Sequence, residues 1–420
     1  MCMKQRKILT ILAVGIIILS LVAGMYVYTL FFSRPVEARY AIDTNATDES
    51  VSYLSNAMNS FCFNLYAQLA MENEGNVFFS PYSIFVALAM TYEGARNLTA
   101  DEMYEVLGFQ QNDDTMLCSF GKIYNLLNHD IEYTLNTANA VWKQQNFPFL
   151  PEYLRFLENY YMAQATDLDF TDRQQAADQI NQWVNEQTQG MIDELLKATD
   201  IAPLTMMVLT NAIYFKGTWA HQFDTDDTQD EAFYVTHESS VTVPMMHLSD
   251  VTLNFTESDM FQMVKLPYEG DDVSMIILLP KNHTLSQVEE MISIDNISQW
   301  QQEFSPTKLE LAMPRFTLET EYYLKDALMT LGMPTAFTEQ ADFSGMNGQK
   351  NLFIEKVKHQ AIIEVNEEGT EAAGATSVNM ALTAIPNMTI VNIDHPFLFF
   401  IQHEETGTIL FYGSILNPTE

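Results

Sequence analysis

The chain has 420 residues, 47% of them hydrophobic and 18% charged, enough to bury a large core in one or two domains. Its 55 acidic residues against 20 basic ones leave a formal net charge of −35. Such a surface repels phosphate backbones and excludes nucleic acid as a partner, and with no basic cluster on any predicted helix a heparin-like or anionic-lipid partner is not expected.

Lys4, Arg6 and Lys7 precede an almost unbroken apolar run from Ile8 to Phe32. That run exceeds the roughly 20 residues needed to cross a bilayer, whereas a cleavable signal has an apolar region of about 7–15. Residues 1–36 therefore read as a signal anchor, with secretion after a cut near Gly24 as the alternative. Positive charges before the span place everything after it outside the cell. The polar stretch Asp43–Ser55 reads as a tether, so the expected organisation is an anchor over 1–36, a tether over 37–51 and one domain over 52–420. Cys62 falls on an apolar helical face, where a buried thiol is the simplest reading, and a bridge to Cys118 is left open. Several Asn-x-Ser/Thr sequons, at Asn45, Asn97, Asn254, Asn282, Asn296 and Asn387, permit glycosylation and carry little weight.

Met58, Phe61, Cys62, Leu65 and Leu69 recur at helical spacing, and Glu74-Gly75-Asn76 stops that helix. Val77-Phe78-Phe79 is a short buried strand. Ser80-Pro81 opens the next helix, the serine capping free N–H groups and the proline tolerating the first turn. Ala177, Ile180, Trp183 and Val184 line one face of another helix that Gly190 ends. From Val208 onwards strands take over: Asn211–Phe215, Val241–Met246, Met263–Leu266, Met275–Leu279 and the alternating Leu309–Met313. Tyr322–Leu331 reads as a helix closed by Gly332, and Phe397–Ile401 and Ile409–Tyr412 as the last strands. Helices first and strands later indicate an α+β domain.

Between the strand-like segments Ala361–Val365 and Pro396–Ile401 lies a run of small and polar residues far longer than the usual connection of about 4–6. Small side chains in a long exposed loop suit a segment that must change conformation. Catalytic signatures are missing: no Gly-x-Ser-x-Gly elbow, no His-Glu-x-x-His, no Walker loop and no Gly-x-Gly-x-x-Gly. The eight histidines are scattered without metal-ligand spacing, and His359 and His395 read as structural. Neither an enzyme nor a metal or other cofactor is expected.

The stretches Asn76–Ile84 (NVFFSPYSI), Asn211–Trp219 (NAIYFKGTW), Leu266–Pro280 (LPYEGDDVSMIILLP), Leu311–Phe316 (LAMPRF), Glu367–Thr376 (EEGTEAAGAT) and Asp394–Ile401 (DHPFLFFI) stand in the order found in serpins. The chain resembles that family from about Ser52 to Pro418. The resemblance implies three β-sheets, about nine helices and an exposed reactive-centre loop that a target endopeptidase attacks as substrate. After cleavage the loop inserts into the main sheet and carries the covalently acyl-linked protease with it. Serpin loop insertion is itself a standing example of strand addition and released strain, and is carried over here as such.

The residues agree with that implication on their own terms. An inserted strand buries every second side chain. Thr370, Ala372, Gly374 and Thr376 form one alternating set, and Glu371, Ala373, Ala375 and Ser377 the other. The first set is small and uncharged, and a charge there would cost several kcal/mol. With Glu367, Glu368 and the permissive Gly369, these residues make the hinge. No proline occurs between Glu367 and Pro386, so inserted residues keep their N–H donors.

By resemblance, Ser80, Ser83, Asn211 and His359 match the family's shutter beneath the strands that separate. Trp219 and Arg315 match the breach, where insertion starts, with Arg315 paired to Glu367. Family spacing from Glu367 puts the reactive bond at Thr383-Ala384, with Leu382 and Ile385 as alternatives. No Lys or Arg lies between Glu367 and Pro396, which excludes trypsin-like targets. An elastase-, chymotrypsin- or subtilisin-like serine protease is expected, and a papain-like cysteine protease also passes through an acyl-enzyme. The expectation is a monomeric inhibitory serpin outside the cell; the alternative is a non-inhibitory serpin acting as a binding or carrier module.

Overall fold

In the computed structural model, residues 40–109, 114–128, 133–281, 284–370 and 388–420 are described, apart from the side chains at 137–138 and 211–212. The expected span over 1–36 lies outside them. So do Glu371, Ala372, Ala373, Gly374, Ala375 and Thr376 of the hinge, and Leu382, Thr383, Ala384 and Ile385 around the expected reactive bond. No helix among the described residues is long and apolar enough to cross a membrane. Ala41–Glu420 form one compact unit.

Helix α1 (Asp48–Glu72) begins earlier than expected, and the tether placed over 37–51 gives way to packed structure from residue 41. Thr47 and Ser50 cap each other's backbone N–H groups, so the polar residues that suggest a linker are a helix start. Ahead of that cap, Ala41 is buried, donating to Asn125 Oδ1 at 2.9 Å and accepting from its Nδ2 at 3.0 Å. Ile42 N–H donates to the Asn159 carbonyl at 2.8 Å. A side chain at Gly121 would collide with the Ile42 carbonyl, so glycine lets this segment lie against its helix.

Strand β1 (Val77–Phe79) follows, then helices α2 (Pro81–Tyr92), α3 (Asn97–Val106) and α4 (Asp114–Asn128). Ser80 caps α2 through Ser83 N–H, with Pro81 in the first turn, as its Ser-Pro start requires. Next come β2 (Thr134–Gln144), α5 (Pro151–Tyr161), β3 (Gln164–Leu168), α6 (Arg173–Gln187) and β4 (Met207–Thr218). The strand-rich half holds β5 (Gln229–Thr236), β6 (Ser239–Glu257), β7 (Phe261–Pro267), β8 (Val273–Pro280), β9 (Ser305–Pro314) and β10 (Phe316–Tyr323). Short helices α7 (Leu285–Glu289) and α8 (Ile294–Gln302) interrupt it, and α9 (Lys325–Leu331) and α10 (Ser344–Asn347) follow. The chain closes with β11 (Lys358–Val365), β12 (Gly369–Thr370), β13 (Thr389–Asn392), β14 (Phe397–His403) and β15 (Ile409–Ile415).

The strands form the three expected sheets. One runs β10-β11-β12-β4-β2-β3. The long strands β6 and β9 belong to both of the others: a bulge between Leu248 and Val251 separates the half of β6 that pairs with β5 from the half that pairs with β7. From β7 the second sheet continues through β8, β14 and β15 to β1, while β13 pairs in parallel with β9. β14 and β15 are buried at every position, which explains their continuous apolar sequences.

The six-stranded sheet is sandwiched. On one face Ile213, Phe215, Ala361, Ile363 and Val365 join the main core. On the other, Trp142, Val208 and Ile362 pack with Ile180 and Val184 of α6. Cys62 and Cys118 are buried free thiols, so the bridge that sequence left open is not formed.

Candidate functional site

β11 alternates strictly, His359, Ala361, Ile363 and Val365 buried and their neighbours half-exposed. After Val365 the chain reverses through Asn366-Glu367-Glu368-Gly369. Asn366 closes that turn from within: its Oδ1 accepts from Glu368 N–H at 3.1 Å and Gly369 N–H at 3.2 Å, and its own N–H reaches the Gly369 carbonyl at 2.9 Å. The returning strand β12 enters between β11 and β4, Thr370 facing Val365 on one side and Gly217 on the other. Gly369 is required for close approach as much as for bending, since a Cβ would run into the Gly217 carbonyl. Gly217 is equally constrained, because a Cβ there would stand 2.6 Å from the Tyr268 ring.

Trp219 pins the turn from below. Its N–H donates to the Glu368 carbonyl at 2.8 Å and its Nε1–H to the Asn366 carbonyl at 3.0 Å, while Phe223 N–H donates to the Glu367 carbonyl at 2.9 Å. The Trp219 indole is stacked on Tyr268 at 4.4 Å between centroids. The Tyr268 hydroxyl meets Thr370 Oγ1 at 2.7 Å in a buried contact, and burial pushes this phenol far above its usual pKa, so it remains a neutral hydroxyl. Thr370 thus faces the core. Glu367 is buried, its Oε1 accepting from the Thr228 hydroxyl at 2.8 Å and standing 3.5 Å from Arg315 Nη1. Arg315 is half-exposed, so this pair contributes only about 0–1 kcal/mol.

Further along β11, His359 Nε2 accepts from Ser80 N–H at 3.0 Å, so the ring proton sits on Nδ1. Ser80 Oγ donates to the Leu410 carbonyl at 2.7 Å and accepts from Ser83 N–H at 3.2 Å. The helix cap and the inter-element link are one cluster. Asn211 lies in β4 opposite Asn139 of β2, and its side chain is outside the described residues. Burial lowers the His359 pKa to about 3. The folded state resists a proton that the unfolded chain takes up near 6.5, so stability present at neutral pH is lost as pH falls from about 6.5 towards 3. Thermal unfolding at pH 7.5 and 4.5 is expected to show a penalty on the order of a few kcal/mol that His359→Gln removes. An unchanged acid sensitivity in the variant would contradict that assignment.

Among the described residues β12 stands between β4 and β11 in the sheet order. Beyond the His359 cluster, a cavity of about 500 Å³ separates the far ends of these two strands. Ile84 and Leu88 of α2 line it together with Leu195 and Ile201. The structure therefore unites Glu367, Glu368, Gly369, Thr370, Trp219 and Arg315 at one end of the sheet, and Ser80, Ser83 and His359 midway along it. Sequence reasoning missed Tyr268, Thr228 and Asn366. Asn366 was findable as a turn-former before Glu-Glu-Gly, and Tyr268 lies within the quoted Leu266–Pro280 stretch, but no local pattern marks Thr228.

Comparison with known proteins is consistent with this arrangement. A family model described as Serpin (serine protease inhibitor) matches residues 56–418. A serpin-like protein of Thermococcus kodakarensis is 42% identical over 371 residues, 87% of this chain and 86% of that one. A leukocyte elastase inhibitor of Xenopus laevis is 38% identical over 380 residues, 87% of this chain and 99% of its own length. Among solved structures, thyroxine-binding globulin in complex with thyroxine superposes with a TM-score of 0.79 at 30% identity, covering 87% of this chain and 99% of that one.

Proposed function

The chain belongs to the serpin family, and on that premise we propose that it is an inhibitory member that traps an endopeptidase by loop cleavage and insertion. The observation that carries this reading is β12. The first hinge residues already pair with β11 and β4, which supplies the register that a longer strand would follow. Continued antiparallel, Ala372 falls between Phe215 and Ile363, Gly374 between Ile213 and Ala361, and Thr376 between Asn211 and His359. Each neighbour whose side chain is described is buried on the core face, where only small uncharged side chains enter without a large penalty. In the same register Glu371 would take the opposite face, beside Lys216 and Glu364. The buried pair Trp219 and Tyr268 would act as the point where insertion starts, and the Ser80–His359 link as the contact the strand passes.

The bait around Thr383-Ala384 supports an elastase-, chymotrypsin- or subtilisin-like serine protease, with a papain-like cysteine protease as the further class. The charged N-terminus and long apolar run support display outside the cell on a single span, or secretion. A binding or carrier role is the second reading, favoured by the likeness to a globulin solved with thyroxine. The small uncharged set at Thr370, Ala372, Gly374 and Thr376 weighs against it, because a carrier has no need of an insertable strand.

Incubation of the purified domain with a panel of proteases tests the proposal. An SDS-stable complex with an elastase- or subtilisin-like enzyme is expected, with mass spectrometry placing the cut within two residues of Thr383. Cleavage of the loop with no complex from any enzyme would favour the carrier reading.

A further inference from the structure

The far side of the loop re-enters the fold at β13, an edge strand that pairs with β9 over Thr389 to Asn392. β9 runs on to Arg315, which meets Glu367, so β13 lies at the hinge end of the six-stranded sheet. An inserted strand matching β4 from Gly217 to Met207 would run about 33 Å beyond Thr370 at ~3.3 Å per residue. The nine steps from residue 380 back to Thr389 then reach at most about 32 Å even fully extended, with nothing left over for the turn. An uncleaved loop therefore inserts fully only if β13 lets go.

What holds the end of β13 is a compact polar joint. Ile393 N–H donates to the Ala312 carbonyl at 2.9 Å, Asn392 Nδ2 to Asp394 Oδ2 at 3.1 Å, and Tyr234 N–H to the Asp394 carbonyl at 2.7 Å. At its centre His395 has an acceptor at each ring nitrogen: Asp394 Oδ1 lies 2.7 Å from Nδ1, and the carbonyl of Pro280, the last residue of β8, lies 2.6 Å from Nε2. A neutral imidazole carries one N–H and leaves a lone pair against an acceptor; the imidazolium satisfies both. Lys281, next to Pro280, is engaged by Glu257 and the Ser258 carbonyl, and Asp394 supplies the charge acting on the ring.

We propose that His395 is a protonation-controlled latch, its imidazolium tying the β13–β14 junction to the end of β8 and releasing β13 as the ring loses its proton. Burial pulls this histidine's pKa down, but the Asp394 hydrogen bond and charge together with the Pro280 carbonyl hold it above the ordinary value. The stabilisation is complete below the unfolded-state value near 6.5 and is lost as pH rises through the higher folded value. The consequence for spontaneous insertion rests on the inhibitory reading above; the latch does not.

Hydrogen exchange of the amides at 389–393, corrected for intrinsic base catalysis, separates the two. In the intact domain, protection is expected to fall about tenfold between pH 6 and pH 9. His395→Gln should flatten that profile, and Asp394→Asn should move its midpoint to lower pH, which keeps the test open if the first variant fails to fold. Identical corrected profiles in wild type and His395→Gln, or an unmoved midpoint in Asp394→Asn, would overturn the latch. Should β13 loosen with rising pH while uncleaved protein never gains heat stability, the latch stands and only its consequence for spontaneous insertion falls; the inhibitory reading is tested separately, on cleaved protein.

Discussion

On the proposed inhibitory function, Thr370→Arg is expected to give a substrate in place of an inhibitor: the target cuts the loop at an undiminished rate, and the SDS-stable complex disappears. Thr370 is 2% exposed and hydrogen-bonded to Tyr268 in the core, so arginine would bury an unpaired charge at the first step of insertion. Leaving such a charge uncompensated costs about 3–5 kcal/mol. Even the lower figure slows a kinetic step by a factor on the order of 100 at 1.36 kcal/mol per tenfold, enough for deacylation to win over translocation. Thr370→Ala separates size and charge from the lost hydrogen bond, and should retain the complex. The measurement is the ratio of complex to cleaved product on a denaturing gel; an arginine variant that still traps protease would refute insertion at this face.

Cleavage of the loop should raise thermal stability steeply. About ten residues entering between β4 and β11 would gain ladder hydrogen bonds worth roughly 1 kcal/mol each, and would fill the cavity that the strand ends now flank. For a domain of this size that corresponds to a rise in Tm on the order of 10–15 °C, with apolar burial adding to it. Where an intact form persists kinetically, equilibrium midpoints mislead, so the comparison is between unfolding rates or scans at one heating rate. If the cleaved and intact proteins melt together, no strand has been added.

Legibility from sequence divided along a physical line. The Ser80-Pro81 helix start and the apolar runs of β14 and β15 are patterns written in adjacent residues. The same local reading failed at Asp43–Ser55, where Thr47 and Ser50 look like linker and are a reciprocal cap. It also carried the Tyr322–Leu331 helix three residues too far back, since Tyr322 and Tyr323 complete β10 against His359 and Lys358. A strand end and a helix start share apolar residues there, and cross-strand pairing decides between them.

By itself, then, the sequence determined the family, the order of its elements and that Thr370 is fit to be buried. All of these depend on the kind of residue at each position and its spacing along the chain. Only the tertiary structure decided where those side chains go: Thr370 onto Tyr268, 102 residues away, the Asn366 turn onto Trp219, 147 residues away, and His395 between Asp394 and the distant Pro280 carbonyl. Such contacts leave no periodic trace, because each partner obeys the pattern of its own strand or turn and meets the other only when the sheets are assembled.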